Sequence, residues 1–284
     1  MKEKINVYNH FHNGDIFYSR MLINGLIKKF DINFYHNLTA PLLSDIDGLT
    51  EIVGIPPNFN IHTNDLQNKN VNAWMGQQNM IFVNTSIPGC SFENYFEIVK
   101  LILNNYEIDI ELDEEFYLPT INKEKIFGNE NITTFMENLK LSYNKIILLS
   151  NGNVNSGQSV NVDLTNLITR LSDNHPDKVF LVTQDILTNS TNIINTSSIT
   201  KIQPDLLQIS LISSFCDIIV GRASGPYCFT HTKENLLNPN KTYISFSNNV
   251  NEGVWYKNTK ATQKWSPDFN IENMYSLINN ELNK

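Results

Sequence analysis

The sequence predicts an α/β protein with two domains, each built on a parallel sheet. Short β-branched apolar runs alternate along the chain with segments of helical periodicity. Each half also begins with an apolar run that leads into a glycine-containing turn. The 284 residues suffice for one large domain or two of ordinary size.

The first half begins with a strand at Lys4–Asn9, a turn through residues 10–15 and an amphipathic helix from Ile16 to about Phe30. Prolines and polar residues dominate positions 37–79, where we expect irregular structure with short strands. The acidic stretch after residue 108 predicts a surface connection, so the first domain is expected to span residues 1–128. Its remaining predicted elements are strands at Ile32–Tyr35, Glu51–Val53, Asn60–His62 and Ile81–Val83, and a helix at Phe92–Tyr106.

The second half, residues 129–266, shows the clearer pattern. A buried strand at Lys145–Ser150 is followed by a polar glycine loop, and strands and helices then alternate as in a doubly wound parallel sheet. The other predicted strands are Lys178–Thr183, Asn192–Ile194, Asp217–Val220 and Lys241–Phe246. The predicted helices are Ile132–Leu141, Leu164–Leu171, Pro204–Phe215, one that begins at Pro226, and a final helix, Ile271–Leu282, in the segment 267–284.

Composition excludes several classes of protein. The net charge of −8 argues against a nucleic-acid partner, although a small anion needs only one or two local cations. No apolar run approaches the length of a membrane span, and Met1–Asn9 lacks the apolar stretch of a signal peptide. We therefore expect a cytoplasmic protein, with peripheral association at the inner face of the membrane left open. The three cysteines follow no metal-binding spacing and are expected to be reduced.

The stretch from Asp217 to Asn235 is a candidate anion site. Its apolar strand runs into a turn of small residues, and Pro226 suits the first position of a helix, where its missing N–H costs nothing. The free N–H groups of a helix N-terminus bind anions, most often phosphate, around Ser224 and Gly225. The guanidinium of Arg222 fits two phosphate oxygens. An ordinary strand-to-helix turn explains the same residues equally well.

The first turn supplies candidate catalytic residues, Asp15 and His12. A carboxylate at the mouth of a cleft can take a proton from an attacking hydroxyl. Asp15 can equally cap the helix that begins near Ile16. His10 and His12 lie two apart on an extended segment, but no further ligands follow at metal-binding spacing, so no metal site is predicted.

Other polar residues have both a binding and a structural interpretation. The loop after residue 150 lacks the lysine of a phosphate-binding ATPase loop, which excludes that class. Glu234 can accept from ribose hydroxyls, as the acidic residue of dinucleotide folds does, or face solvent. His231 can approach a ligand or pack in the core. The tryptophans are buried anchors or platforms for a sugar or base. The candidate ligands from the loop are Asn151, Gly152, Ser156, Gly157 and Gln158.

Two motifs resemble those of the heptosyltransferase-like glycosyltransferases. The run Asn13-Gly14-Asp15-Ile16 behind the first strand is similar to their Gly-Asp turn. The strand Asp217–Gly221, leading into Ser224-Gly225-Pro226, resembles their later motif, which opens a helix beneath the donor diphosphate. The resemblance implies a GT-B architecture, with two Rossmann-like domains facing across a cleft and the nucleotide held mainly by the second. It also implies that the last helix crosses back to pack on the N-terminal domain.

Carried over by position, the resemblance implies Asp15 as the base, Ser224 and Gly225 as diphosphate donors, and no metal or other cofactor. Arg222-Ala223 departs from the family pattern, which has an acidic residue there. Acceptor-side positions are expected at His10, Asn13 and Gly14. The expected function is transfer of a sugar from a nucleotide sugar to a hydroxyl of a glycan or lipid-linked acceptor. A sugar-nucleotide epimerase and a non-catalytic sugar- or nucleotide-binding protein are the alternatives.

Overall fold

The computed structural model describes residues 2–61, 70–74, 92–112, 118–155, 159–248 and 259–284, without the side chains of residues 92–96. The chain divides into two compact units, with the main boundary between Ile126 and Phe127. The sequence pattern places this boundary two residues later. In the described part of the chain, no helix combines the length and apolar content needed to cross a bilayer.

The first unit contains a four-stranded sheet in the order β3-β2-β1-β4, in which all pairs are parallel. Ser19, between α1 and α2, keeps helical dihedral angles (φ −59°, ψ −17°), so these two helices continue each other as the single amphipathic pattern predicts. The strands are β1 (Glu3–Tyr8), β2 (Phe30–His36), β3 (Leu49–Val53) and β4 (Asn70–Asn72). The helices are α1 (Asn13–Tyr18), α2 (Arg20–Leu26) and α3 (Phe92–Asn105).

Strand β4 is absent from the sequence-based prediction. Its three residues pair with Asn6–Tyr8 of β1, and all three are buried. An asparagine-rich triplet has little strand propensity of its own, so the pairing comes from the sheet that it joins. The strand expected at Asn60–His62 is wrong for Asn60 and Ile61, which lie outside any strand. The strand expected at Ile81–Val83 lies outside the described residues.

The second unit contains a six-stranded parallel sheet in the order β10-β9-β8-β5-β6-β7. Counted from the first strand of the unit, this is the 3-2-1-4-5-6 order of dinucleotide-binding folds, and the direction of strand addition reverses between β5 and β8. The prediction of a doubly wound parallel sheet is confirmed. The strands are β5 (Lys145–Leu149), β6 (Lys178–Val182), β7 (Ile193–Asn195), β8 (Ile218–Arg222), β9 (Thr242–Phe246) and β10 (Thr262–Ser266).

Helices cover this sheet and complete its core. On one face, apolar side chains of the central strands pack with those of α5 and α9. Helices α4 and α6 pack against each other, and α4 also contacts β5. The helices are α4 (Asn129–Ser142), α5 (Thr165–Asn174), α6 (Leu206–Phe215), α7 (Gly225–Cys228), α8 (Lys233–Leu236) and α9 (Ile271–Leu282).

The C-terminal helix α9 belongs to the second unit. Met274, Ile278 and Leu282, spaced four residues apart on one face, are buried in the same core as the central strands. Arg170 on α5 also donates to Glu272 on α9 at 2.7 Å. The apolar face of this helix thus contributes to the core of the second unit, and the expected packing on the first domain stays a prediction.

Two further elements of the second unit differ from the prediction. The helix that begins at Gly225 ends at Cys228, and a separate helix, α8, starts only after Thr232, whose side chain accepts from the N–H of Asn235. Strand β10 pairs with β9 in a segment for which the sequence predicts no strand. Its sequence, TQKWS, lacks an apolar alternation, since this edge strand is only partly buried.

Candidate active site

Two serines meet at the point where the strand order of the second sheet reverses. Ser150 directly follows β5, and Ser224 lies two residues beyond β8. Their Oγ atoms are 2.9 Å apart, and both residues are buried. Ligands of open α/β sheets bind outside the carboxyl ends of the strands at such a reversal. The serine pair therefore lies at the centre of the candidate ligand site of this unit.

A close contact between Gly221 and Tyr227 fixes the path of the backbone after β8. A Cβ atom on Gly221 would lie 2.2 Å from the ring of Tyr227, so only glycine allows this ring to pack directly on the strand. Tyr227 is itself buried within α7. Ser224, the residue before α7, is extended (φ −133°, ψ 159°), and its side chain makes no cap bond. The hydroxyl of Ser224 is thus directed to Ser150 rather than to its own helix.

Arg222, the last residue of β8, has a structural role. Its guanidinium donates to the carbonyl oxygens of Val160 (2.9 Å), Asn151 (3.1 Å) and Gly152 (2.6 Å), and the residue is only 1% exposed. The expectation that Arg222 binds phosphate is corrected, because these terminal nitrogens already hold the two ends of the loop after β5. Burial lowers the pKa of Arg222.

The same loop is held at several further points. The side-chain amide of Asn161 exchanges two hydrogen bonds with the backbone of Val154, at 2.7 and 3.2 Å. Asn151 joins this loop to the end of β6, because its amide both accepts from and donates to the backbone of Gln184 at 2.9 Å. Gly152 is buried beside the same glutamine. The three other predicted loop ligands, Ser156, Gly157 and Gln158, lie outside the described residues.

A polar groove of about 290 Å³ lies between the loops that follow β5 and β6. Amides and carboxylates line it, among them Asn153, Gln184 and Asp185. Asp163, also at the groove, accepts from the N–H of Thr165, the first residue of α5, at 2.9 Å, and this bond lowers its pKa. The sequence analysis missed Gln184 and Asp185. The signal was Asp185, an acidic residue three positions beyond the end of β6, near the place where dinucleotide folds have the acid that binds ribose.

Glu234 lies at the opposite edge of the sheet. It is exposed on α8, and its charge acts on Lys241, the residue directly before β9. Burial lowers the pKa of Lys241 to about 8, while the charge of Glu234 is among those that raise it. The amino ends of parallel strands share one edge, whereas Ser150 and Ser224 lie at the carboxyl edge. The expected ribose contact of Glu234 is therefore corrected.

His231 packs in the core. Its ring lies edge-on to those of Tyr227 and Tyr243, with centroid distances of 4.7 and 5.4 Å. Burial lowers the pKa of His231 to about 3, which keeps the imidazole neutral near pH 7. Of the two interpretations that the sequence left open, the structure supports the packing one.

The first sheet has its own reversal point, between β1 and β4. Asn9 follows β1, and its Oδ1 accepts from the N–H of Phe11 at 3.0 Å. Asn72 ends β4, and its Oδ1 accepts from the N–H of Trp74 at 2.9 Å. These matching turns bring Phe11 and Trp74 into a stacked pair, with ring centroids 4.2 Å apart and planes 11° apart. His10 contacts the edge of Trp74 at 5.1 Å.

Asp15 lies beside this aromatic pair, in the first turn of α1. Burial raises the pKa of Asp15 above its ordinary value, although hydrogen bonds from the His12 backbone and the Trp74 side chain act in the opposite direction. The Oγ of Ser19 donates to the Asp15 carbonyl at 2.9 Å and accepts from the buried amide of Asn9 at 3.0 Å. The His12 contact is half of a capping box. Asp15 thus makes a cap contact and also has a carboxylate that holds its proton more readily than usual.

The other predicted residues of this turn surround Asp15. The side chain of His12 is exposed and makes no cap bond, while its ring lies 5.1 Å from that of Phe11. Asn13 and Gly14 are the first two residues of α1 and are half-buried. Within the described ranges, no three histidine, cysteine or acidic side chains come close enough to hold a metal ion.

These features define a class of α/β protein with two Rossmann-like units, each with a candidate ligand position where the strand order of its sheet reverses. The chain is similar to E. coli heptosyltransferase WaaC with ADP, at 6% identity and a TM-score of 0.55, over 98% of this chain and 99% of that chain. It is also similar to the same enzyme with ADP-2-deoxy-2-fluoro heptose, at 6% identity and a TM-score of 0.53 over the same shares. A family 9 glycosyl transferase from Veillonella parvula aligns at 10% identity and a TM-score of 0.47, over 99% of this chain and 89% of that one.

No protein-family model and no curated protein matches the sequence. The likeness is therefore one of fold, over nearly the whole length of both chains. The predicted resemblance to the heptosyltransferase-like glycosyltransferases is confirmed at the level of that fold.

Proposed function

We propose that this protein is a glycosyltransferase that moves a sugar from a nucleoside-diphosphate sugar to a hydroxyl of a glycan or lipid-linked acceptor. The observation that carries the proposal is Asp15, a half-buried carboxylate with a raised pKa at the carboxyl edge of the first sheet. A general base works best when its pKa approaches the pH at which it operates. A heptosyltransferase-like fold supports the same assignment.

The second unit would hold the donor. The backbone N–H groups around Ser224 and Gly225 are available to the diphosphate at the reversal between β5 and β8. The groove beside Gln184 and Asp185 offers acceptors for ribose hydroxyls. Two solved structures of this fold contain ADP or an ADP-sugar analogue, which supports a nucleoside-diphosphate donor here.

The first unit would hold the acceptor. Phe11 and Trp74 present half-buried aromatic rings beside Asp15, and such rings suit the apolar face of a sugar. In the reaction, Asp15 takes the proton of the acceptor hydroxyl while its oxygen attacks the anomeric carbon of the donor. The bond from that carbon to the diphosphate oxygen breaks, and the nucleoside diphosphate leaves with the electron pair. The N–H groups around Ser224 stabilise this charge, so no metal is required in the proposed mechanism.

The first test is a thermal-shift screen with nucleoside diphosphates and nucleotide sugars, with and without EDTA. A ligand at about one hundred times its dissociation constant stabilises the protein by roughly 2.7 kcal/mol. We expect a shift with one nucleotide that survives EDTA. A result without any shift would remove the donor site and with it the proposal.

The second test separates a transferase from its alternatives. Asp15→Asn should keep the donor-induced shift and lose transfer by roughly 10²–10⁴-fold, the usual contribution of a general base. Asp173→Asn, at an exposed carboxylate, is the matched control and should keep full activity. Conversion of the nucleotide sugar without an acceptor would instead indicate an epimerase. A protein that only binds the sugar or nucleotide would keep its ligand affinity and its function in Asp15→Asn.

A further inference from the structure

We propose that Ser150 is the positioning residue of Ser224. Its hydroxyl donates to the Oγ of Ser224 and so directs the O–H of Ser224 towards the diphosphate of the sugar donor. This inference rests on the proposed function and adds a side-chain contact to the backbone N–H groups of the donor site. Neither of the two sequence motifs includes Ser150.

The two hydroxyls carry one more hydrogen-bond donor than the described residues use. Each serine has a single O–H proton and can accept two hydrogen bonds. The Oγ atoms lie 2.9 Å apart, so the bond between them uses one of the two protons. Among the described residues, neither Oγ has another hydrogen-bond partner, and the side chain of Ser224 does not cap its own helix. One O–H is therefore available to an acceptor that these residues do not supply.

Burial decides which of the two hydroxyls holds the available proton. Ser150 is 3% exposed and Ser224 is 9% exposed. Ser150 immediately follows its strand, whereas Ser224 lies two residues beyond its own, nearer to the place where ligands of such sheets bind. An unpaired donor is costly at a buried position. The direction from Ser150 to Ser224 is therefore favoured, because it leaves the available O–H on the more exposed residue.

The backbone fixes the separation of the two side chains. The N–H of Ser150 donates to the carbonyl of Val220 at 2.9 Å, which continues the pairing of β5 with β8. The carbonyl of Ser224 accepts from the N–H of Cys228 at 2.9 Å. The positions of the two hydroxyls are thus set by the sheet itself and by the turn that follows β8.

The chemistry of this hydroxyl pair suits a phosphate oxygen. An O–H whose oxygen already accepts a hydrogen bond is a stronger donor, because hydrogen bonds in a chain polarise one another. The matching acceptor is an oxygen that carries charge and no hydrogen, as in a diphosphate, and its bonds to hydroxyl groups are short and strong. Ser150 contributes without touching the ligand, since it orients the hydroxyl of Ser224 and strengthens it as a donor.

Titration calorimetry of the full chain with ADP, GDP, CDP and UDP measures this contact. For the nucleoside diphosphate that the wild type binds most tightly, Ser150→Ala should weaken binding by roughly tenfold, the loss expected for one hydrogen bond to a charged group. Ser150→Cys nearly keeps the shape of the side chain but has a weak S–H donor, and it should give a similar loss. Ser150→Thr keeps the hydroxyl and should bind within about twofold of the wild type.

A double-mutant cycle separates positioning from direct contact with the ligand. Because Ser150 acts through Ser224, Ser150→Ala should change the affinity by less than about twofold in a Ser224→Ala background. Independent losses at the two positions would overturn the proposal. An unchanged affinity in both Ser150→Ala and Ser150→Cys would overturn it as well.

Ser213→Ala is the matched control for a merely structural effect. Ser213 is fully buried on α6, and its Oγ donates to the carbonyl of Ser210 at 2.6 Å. Its own carbonyl accepts from Lys241 at 2.7 Å, at the amino edge of the sheet and away from the serine pair. Loss of this hydroxyl should also destabilise the fold, but it should leave the affinity for the nucleoside diphosphate unaltered.

Kinetics connect the contact with the reaction. Negative charge grows on the diphosphate as it leaves, so the bond from Ser224 strengthens in the transition state and Ser150→Ala should lower kcat as well as affinity. If the wild type binds a nucleoside diphosphate with the expected cycle but transfers no sugar, the serine contact stands and the proposed function fails. If the wild type transfers sugar and Ser150→Ala keeps both affinity and kcat, the transferase stands and the role of Ser150 fails. A wild type that binds none of the four nucleotides would overturn both.

Discussion

The hydroxyl of Ser150 lies 2.9 Å from the hydroxyl of Ser224, across 74 positions of sequence. The bond joins the ends of β5 and β8, the two strands between which the order of the second sheet reverses. It therefore couples the loop after the first strand of the unit to the turn that opens α7. These are the two backbone segments from which the proposed diphosphate site is built.

We expect Ser150→Ala and Ser224→Ala each to lower the free energy of unfolding by about 1 kcal/mol, the net contribution of a typical hydrogen bond. The double variant should lose less than the sum of the two, because the first change already removes the shared bond. Urea unfolding of the four proteins measures this coupling. Ser198→Ala, which removes an exposed hydroxyl, should change stability by less than about 0.5 kcal/mol. Additive losses would show that the two hydroxyls act independently.

Arg222→Ala should unfold at a much lower urea concentration than the wild type. The substitution leaves the carbonyls of Asn151, Gly152 and Val160 without the guanidinium, and an unsatisfied buried group such as the Gly152 carbonyl costs about 1–3 kcal/mol. Arg222→Lys should rescue little, because an ammonium lacks the planar fork that reaches separate acceptors.

The control for this substitution is Arg170→Ala. Arg170 is 47% exposed and pairs with an exposed glutamate, so its loss should lower the stability far less than the loss of Arg222. If Arg222→Ala kept full stability and lost only nucleotide binding, the original expectation of a phosphate ligand would be restored.

Gly221→Ala should destabilise the protein by about 3 kcal/mol, at the upper end of the usual cost of overpacking. The new methyl group would meet the ring of Tyr227 at 2.2 Å, and that ring is buried. In a Tyr227→Ala background the added cost should largely disappear, which thermal unfolding of the double variant measures. Gly152→Ala is the comparison, because the atoms it would meet belong to the flexible side chain of Gln184 at 3.1 Å or more. An equal loss at both glycines would contradict the assigned role of the Tyr227 contact.

His231 should make the fold sensitive to acid. Its pKa is about 3 in the folded protein and 6.5 when unperturbed, so between these values the unfolded chain takes up a proton that the folded chain does not. The free energy of unfolding therefore falls as the pH drops from about 6.5 towards 3, by up to about 1.4 kcal/mol for each pH unit. His231→Phe should lose this component, and unfolding midpoints measured from pH 7 to pH 4 would show a shallower decline. Parallel declines in both proteins would contradict a neutral, buried imidazole.

The regular elements of the second unit were largely predictable from the sequence. Runs such as Lys145–Leu149 and Ile218–Val220 are short and apolar because their strands are buried on both faces, and this pattern needs no tertiary information to be recognised. The resemblance of the Ser224-Gly225 turn to a known family was likewise visible in the residues themselves. Strands β4 and β10 were missed because their pairing energy comes from a neighbouring strand.

The roles of single polar residues were less predictable. Arg222 and Glu234 are both residue types that can bind a nucleotide. In the structure, Arg222 donates to the carbonyls of a loop, and Glu234 lies at the edge of the sheet opposite Ser150 and Ser224. Trp74 had no sequence signal for a contact with Asp15, 59 positions away by residue number. Charge and residue type are local properties, whereas the partner of a side chain depends on which strand ends the sheet brings together.

By itself, the sequence determined the α/β class, the parallel sheets and the two turns where ligands are expected, because periodicity and small residues act over a few neighbouring positions. The tertiary structure alone decided which polar groups are already engaged within the protein and which lie at a strand-order reversal. It also decided that α9 completes the core of the second unit, and that Asp15 lies beside the stacked rings of Phe11 and Trp74. The physical reason is that burial and hydrogen bonding are set by residues that are distant in sequence and adjacent only after the sheets have formed.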